Sequence, residues 1–402
     1  MAFSLKKTLK DSYSVRFIAW LLFFNFVDLL AIVLPRHALP KTRKRVIFLK
    51  LDAIGDYVVW TAAFKSLETI YPSSEYERVL VASDKLKELS ENEPIFDRRI
   101  YLNWDRFIFE PVYRFKTMRE IRNLDADILV NPRLTREFLW SDCVVRVSGA
   151  PIRIGSYGLD NQMSKLSERV GESWYTSLVA APERDEHELV SHRKFLKALA
   201  PNLEPILETP GLDRVSGNIK LDGDYAVLFI GASHPERLWP LEKYAAIAKF
   251  IVSEYKLKIV ICGGPGEEGL AARFGSEFSG DFTDLIGKTR LLELYDIICS
   301  AKLVVTNDTG AGHFAAVSTT PTVVITPGNQ VGRFFPYPDL PATTGFKQVS
   351  VLHEMPCFGC GWHCIYKDLP PTSPKPCIEG IEVENVKSAI RVFLDGGNAE
   401  CE

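Results

Sequence analysis

Short apolar runs alternate with amphipathic stretches along most of this chain, and the series occurs twice. RVIFLKL (45–51), RVLVASD (78–84) and DADILVN (125–131) read as strands with helical patterns between them. The pattern restarts with DYAVLFIGA (224–232), KIVICGG (258–264), AKLVVTND (301–308) and TVVITPG (322–328), with helices expected from Leu241 and Gly312. Such alternation predicts parallel sheets covered by helices. Between the series, PNLEPILETPGLDR (201–214) has no period and reads as a linker. The fold class is therefore α/β, with two Rossmann-like domains and a cleft between them, and 402 residues suffice for two full cores. Residues 329–378 are irregular, and VENVKSAIRVFLD (383–395) reads as a closing helix. The expected division is 1–44, 45–212, 213–378 and 379–402, with a Cys-rich loop at 353–377.

Ahead of the first series lies FIAWLLFFNFVDLLAIVL (17–34), an N-terminal helix pattern that is apolar except for Asn25 and Asp28. Through Arg45, nine basic residues stand against two acidic ones, although the whole chain carries a net charge of −3. Lys6, Lys7, Lys10 and Arg16 lie on one side; Arg36, Lys41, Arg43, Lys44 and Arg45 lie on the other. The run is near the lower length limit for spanning a bilayer, and a central Asp costs about 2.5–3.5 kcal/mol on insertion scales. A cleaved signal peptide, a spanning anchor, a helix in the plane of the membrane surface and a helix docked on the protein's own core all stay open. No small-residue cleavage site follows the run, which counts against the first. The basic flanks suit an anionic leaflet. The overall charge gives no pull toward nucleic acid.

Four turns at strand ends carry chemistry. In TNDTGAGHFAA (306–316), the small residues Thr309, Gly310, Ala311 and Gly312 at a helix start leave backbone N–H groups open to an anion, aided by the helix dipole. Simple N-capping by Asp308 or Thr309 is the alternative. In GASHPERLWP (231–240), Ser233 and His234 are donors and the fork of Arg237 could hold a diphosphate. In CGGPGEEG (262–269), Gly264, Gly266 and Gly269 fit the G-x-G-x-x-G spacing of a dinucleotide turn, which supports an oxidoreductase as a rival. Against that stand its place in the second series, the stiff Pro265 and the lack of an acidic residue ending a following strand. In LKLDAIGDYVVW (49–60), Gly55 supplies freedom for a tight turn and Asp56 stands where strand hands over to helix.

Taken in order, LDAIGD (51–56), GASHPERLWP (231–240), GGPGEE (263–268), IGKTRLLELYDIICSAKLVVTNDTGAGHFAA (286–316) and TPTVVITPG (320–328) closely resemble glycosyltransferase family 9, the ADP-heptose:lipopolysaccharide heptosyltransferases. The resemblance spans about residues 45 to 395 and leaves out the N-terminal apolar run. It implies a GT-B fold with an acceptor-binding first domain and a nucleotide-sugar-binding second domain. By the same match Asp56 is the general base, Gly55 brings its loop close to the donor, and Lys50 lies near the cleft floor. Arg237 takes the place of the diphosphate-binding cation. Asp308, Thr309, Gly310 and His313 fall on the D-[ST]-G-x-x-H donor motif, and Glu267 or Glu268 is the ribose contact. His187 matches a histidine of the domain-linking helix, with acceptor contact or packing as its role. Arg133, after a strand end, could meet an anionic acceptor.

The chemistry agrees. Displacing a nucleoside diphosphate from a sugar needs a base for the incoming hydroxyl and cationic or dipolar donors for the leaving phosphates. The expected activity is an inverting glycosyl transfer that requires no cofactor. The sugar, heptose by family default, moves from a nucleotide-sugar to lipopolysaccharide core, O-antigen or another lipid-linked surface glycan. The expected location is the cytoplasmic side of the bacterial inner membrane, with the protein held peripherally or by its N-terminus. A non-catalytic nucleotide- or glycan-binding member of the fold is the alternative, ahead of the oxidoreductase.

The chain has eight cysteines. Cys143, Cys262 and Cys299 lie in apolar stretches and read as small core residues. Cys357, Cys360, Cys364 and Cys377, with His353 and His363 nearby, have spacings that suit a structural zinc or iron–sulfur site, disulfides, or packed thiols. His187 and His192 are five residues apart and so do not share a helix face.

Overall fold

The computed structural model describes residues 15–159, 164–183, 185–361, 363–370 and 373–396. Lys6, Lys7, Lys10, Cys401 and the side chain of Arg16 lie outside the described set. The chain forms two compact units, each built on a parallel six-stranded sheet.

In the first unit, β1 (Lys44–Lys50), β2 (Tyr76–Ser83), β3 (Arg98–Leu102), β4 (Ile128–Val130), β5 (Ile152–Ser156) and β6 (Ser177–Val179) run in the order β3-β2-β1-β4-β5-β6. Phe48 of β1 registers with Leu80 on one side and Val130 on the other. Buried on both faces, β1 carries the apolar run Val46–Leu49, the mark of a central parallel strand. Ile47, Leu49, Val81 and Leu129 meet Met118, Ile121 and Trp140 in the core beneath.

The Val15–Val33 helix packs on this unit through Phe24, Val27, Asp28 and Ala31. The Asp28 carboxylate accepts hydrogen bonds from Nε and Nη2 of Arg114, each at 2.7 Å, with both side chains buried. Arg114 donates further to the carbonyl of Leu139 at 3.1 Å. Burial raises the Asp28 pKa and the guanidinium opposes it. The Asp that interrupts the apolar run is therefore a docking residue. Among the described residues, no helix is long and apolar enough to cross a membrane.

In the second unit, β7 (Tyr225–Phe229), β8 (Lys258–Cys262), β9 (Phe282–Asp284), β10 (Leu303–Asn307), β11 (Thr322–Ile325) and β12 (Gln348–Val351) run β12-β11-β10-β7-β8-β9. Counted from its own first strand, this order repeats that of the first sheet. Leu228 of β7 registers with Val305 and Ile261. The closing Val383–Leu394 helix buries Val386, Ala389 and Ile390 in the same core and is part of this unit.

The units do not divide the chain at one point. Ala53–Ala63 and Glu183–Arg193 cluster with the second unit, together with the chain from Ile206 onward. The reason is apolar: Val59 and Ala62 pack with Leu189, Ala316, Val324 and Phe335. Backbone bonds agree, since Glu208 donates to the Ala62 carbonyl at 3.0 Å and Gly211 to Thr61 Oγ1 at 3.1 Å. Residues 53–63, expected in the first domain, therefore belong with the second.

Candidate active site at the switch point of the second sheet

Open parallel sheets take ligands outside the carboxyl ends of their strands, where the strand order reverses. In the second unit that point lies between β7 and β10. β7 runs into Gly231 and the Pro235–Arg237 turn, and β10 runs into Asp308 and the Gly310–Val317 helix. Asn307 ties the two loops, its Nδ2 donating to the Gly231 carbonyl at 3.0 Å and its Oδ1 accepting from Trp239 N–H at 3.3 Å. Sequence reasoning missed Asn307. Its only signal is a polar residue ending a buried strand.

Arg237 Nη2 donates to the Asp308 carbonyl at 2.6 Å and stands 3.3 Å from Asp308 Oδ2. Burial raises the Asp308 pKa, Arg237 lowers it, and the Asp56 carboxylate adds a smaller upward push. Asp56, Asp308 and Arg237 thus form one electrostatic group. Thr309 is extended at φ −145°, and its side chain does not cap the helix. The first N–H groups of that helix lack intrahelical acceptors, and Gly310 and Ala311 are partly exposed there. Diphosphate oxygens fit such a terminus.

Gly55 and Asp56 lie in the Ile54–Trp60 helix. Gly55 has no positive φ, so the expected tight turn is absent. It serves a close approach instead. A Cβ at Gly55 would overlap Cδ2 of His313 and lie 3.1 Å from its Nε2, and a Cβ at Gly310 would lie 3.6 Å from the Gly55 nitrogen. Asp56 Oδ2 accepts the Ala53 N–H at 3.0 Å, which closes the first turn and orients the carboxylate. Among the described residues, Oδ1 accepts no hydrogen bond, and the side chain is half-buried. The cap and a base role are compatible, because they use different oxygens.

His313 is enclosed. Its Nδ1 is 2.7 Å from the Tyr337 hydroxyl, and its ring stacks on Phe335 at 4.7 Å between centroids. Burial, helped by nearby His187, lowers its pKa to about 3, so the ring is neutral. His187 precedes the Glu188–Leu199 helix instead of lying on it. Its Nδ1 accepts the Leu189 N–H at 3.1 Å, and its Nε2 meets the Phe334 carbonyl at 3.0 Å, which puts the proton on Nε2. Burial lowers its pKa to about 4. Both histidines are committed to packing around Tyr337.

Glu267 Oε2 accepts the Gly264 N–H at 2.8 Å, and its carboxylate lies where a Cβ at Gly231 or Gly263 would collide with it. It therefore reaches back to the end of β7, and burial raises its pKa. Glu268 accepts the Gly266 N–H at 3.0 Å and is solvated. Ser233 is exposed on the β7 loop. The Gly264–Gly269 fingerprint follows β8, whereas a dinucleotide turn belongs after the first strand at the switch point. The next strand, β9, does end in the acidic Asp284, so that objection falls, and the position of the turn after β8 is what counts against the oxidoreductase reading.

Lys50, the last residue of β1, and Arg133, just after β4, occupy the corresponding point of the first sheet. Lys50 is buried with its Nζ 2.8 Å from Asp52 Oδ2, while Asp52 Oδ1 is buried without a partner. Arg133 Nη2 is 3.1 Å from Glu137 Oε1. Lys50 lies in the first unit. Cys357, Cys360, Cys364 and Cys377 are half-buried. Burial raises the Cys377 thiol, with smaller contributions from Cys364 and Cys357. Among the described residues, no three His, Cys, Asp or Glu side chains are placed to hold a metal ion. Cys143 and Cys262 are core thiols pushed up to about 12 by burial, and Cys299 is half-buried.

The sequence profile of glycosyltransferase family 9 (heptosyltransferase) matches residues 114–343. Lipooligosaccharide heptosyltransferase 2 of Haemophilus influenzae is 26% identical over 283 residues, 68% of this chain and 80% of that protein. The lipopolysaccharide core heptosyltransferase OpsX of the same organism is 27% identical over 163 residues, 40% of this chain, and the chain spans only 43% of that relative's length. Among solved structures, a family 9 glycosyl transferase from Veillonella parvula superposes with a TM-score of 0.68 at 18% identity, covering 90% of this chain and 100% of that one. The ADP-heptose lipopolysaccharide heptosyltransferase II of E. coli gives 0.61 at 17% identity over 88% and 100%. Those two are likenesses of fold. With the profile covering more than half of its residues, this chain belongs to glycosyltransferase family 9.

Proposed function

We propose that the protein transfers heptose, with inversion, from ADP-heptose or a closely related nucleotide-sugar to a lipopolysaccharide core or similar lipid-linked glycan. The observation that carries the reading is the grouping of Asp56, the Arg237–Asp308 pair and the Gly310 helix start on one compact unit. The acceptor hydroxyl gives its proton to Asp56, and its oxygen forms a bond to the anomeric carbon. The bond from that carbon to the donor phosphate breaks, and its electron pair leaves on the diphosphate. Arg237 and the Gly310–Ala311 N–H groups meet the growing negative charge. Glu267 accepts a hydrogen bond from the ribose. The names of the family 9 relatives support heptose and ADP as the donor parts.

The test is turnover of ADP-heptose on a heptose-deficient lipopolysaccharide acceptor, with the product anomer read by NMR. Asp56→Asn should leave ADP binding within about twofold and lower turnover by about 10²-fold or more. Near-normal turnover would make Asp56 a cap alone. Binding of donor without turnover in the parent protein would favour a non-catalytic member of the fold.

A further inference from the structure

The Val15–Val33 helix is apolar on the face it turns to water as well as on the face it buries through Phe24, Val27 and Ala31. Its inward face carries Asp28, and half-buried Asn25 accepts a hydrogen bond from Arg146 at 3.4 Å. Its outward face, between Trp20 and Leu34, carries only apolar side chains: Leu22 (64% exposed), Phe23, Phe26 (56%), Leu29, Leu30 and Val33 (72%). The patch continues onto the neighbouring helices, because Trp20 and Phe109 stand 6.4 Å apart between ring centroids and Phe109 and Val112 are themselves exposed. Contiguous apolar faces of this kind mark a docking surface.

The charge at the C-terminal end of that face identifies the occupant. Arg119 donates to the carbonyls of Ala31 and Leu34, at 3.0 and 2.9 Å, and to that of Pro35. Arg36 and Arg122 lie side by side, since a Cβ at Gly149 would stand 2.8 Å from Arg36 Nη2 and 2.7 Å from Arg122 Nη1. Asp125, paired with Arg36, is the acidic side chain bonded to this group. Arg122 donates to the Val147 carbonyl and keeps a buried Nε with no partner. Crowding by Arg36 and Arg119 adds to burial in lowering the Arg122 pKa, and the single Asp125 carboxylate stands against three guanidiniums. An apolar helix face ending in clustered guanidiniums matches the acyl region and the phosphate headgroups of an anionic bilayer.

We propose that this face lies in the plane of an anionic membrane surface, with Leu22, Phe26, Leu29 and Val33 in the acyl boundary and Arg36, Arg119 and Arg122 on lipid phosphates. The inference does not depend on the transferase reading and is tested without any sugar. The full chain is floated with vesicles of phosphatidylcholine alone, or of phosphatidylcholine mixed with phosphatidylglycerol, at low and high salt. Binding should favour the anionic vesicles by about tenfold or more and weaken with salt. Phe26→Glu with Leu30→Glu, both outward-facing, should lower binding about tenfold or more with an unchanged circular dichroism spectrum. Arg119→Gln should reduce the preference for anionic vesicles and leave the weak neutral binding in place. Failure to float with either vesicle would overturn the proposal, as would binding that the double variant leaves intact. So would a vesicle-free dimer that the double variant converts to monomer, because a second copy would then be the occupant.

Discussion

Gly55→Ala tests the candidate site where its geometry is tightest. The added methyl has nowhere to go. It overlaps His313, whose ring is fixed by the Tyr337 hydroxyl at 2.7 Å and by stacking on Phe335. Relief requires either turning the imidazole away from Tyr337, which strands a buried polar group at about 1–3 kcal/mol, or lifting the Ile54–Trp60 helix off the Gly310–Val317 helix. Overpacking of this kind costs about 1–3 kcal/mol, and better helix propensity returns at most about 1 kcal/mol. The expected net loss is about 1–2 kcal/mol. Activity should fall further, because the shift moves Asp56 relative to the phosphate loops, and a misplacement of about 1 Å costs on the order of 10²-fold. Gly269→Ala is the control, since a Cβ there meets nothing within 4 Å and needs no special φ. Urea unfolding and turnover are measured on both. If Gly55→Ala matches the control in stability and keeps full turnover, the close approach does not hold the site together.

His187 supplies a pH test. Its folded pKa of about 4 lies below the unfolded value near 6.5, so its stabilisation is complete above about pH 7 and is lost as the pH falls toward 4. Between pH 7 and pH 5 the wild type should lose about 2 kcal/mol that His187→Gln does not lose, and taking the difference cancels the carboxylates. Arg237→Ala leaves the buried Asp308 carboxylate without its counter-charge, so urea unfolding should show a loss of about 2 kcal/mol, relieved in part by adding Asp308→Asn. Calorimetry should show weaker ADP binding for Arg237→Ala, and unchanged affinity would remove Arg237 from the donor site. Asp28→Ala strands Arg114 in the first unit and should cost about 3–5 kcal/mol by urea unfolding, whereas Asp28→Leu with Arg114→Met should cost clearly less.

The central strands of both sheets were legible because burial on two faces writes them as apolar runs: Val46–Leu49, Leu228–Ile230 and Val304–Val305. The strands that escaped notice, RRIYL, IRIGS, SLV, FTD and QVSV, lie at or next to sheet edges and carry polar residues on half-exposed backbone. The phosphate loops were legible because small residues at a helix start leave a local pattern. Packing between residues distant in sequence left none. Gly55 was marked as special, but the reason, the ring of His313, lies on a helix more than two hundred residues away. Tyr337, which organises both histidines, sits in an irregular stretch without any motif. Asp28 looked like a flaw in an apolar segment until Arg114 stood opposite it.

The grouping of Ala53–Ala63 with the second unit also has a cost during synthesis. Tyr57, Val58, Val59 and Trp60 leave the ribosome as a run of large apolar residues, while Ala316, Val324 and Phe335, which cover part of it, are made about 250 residues later. At elongation rates of about 5–20 residues per second, that interval is on the order of 10–50 seconds. A nascent chain of this protein must carry an uncovered adhesive segment for most of its translation. A fragment ending before residue 316 should aggregate even though its first sheet is complete.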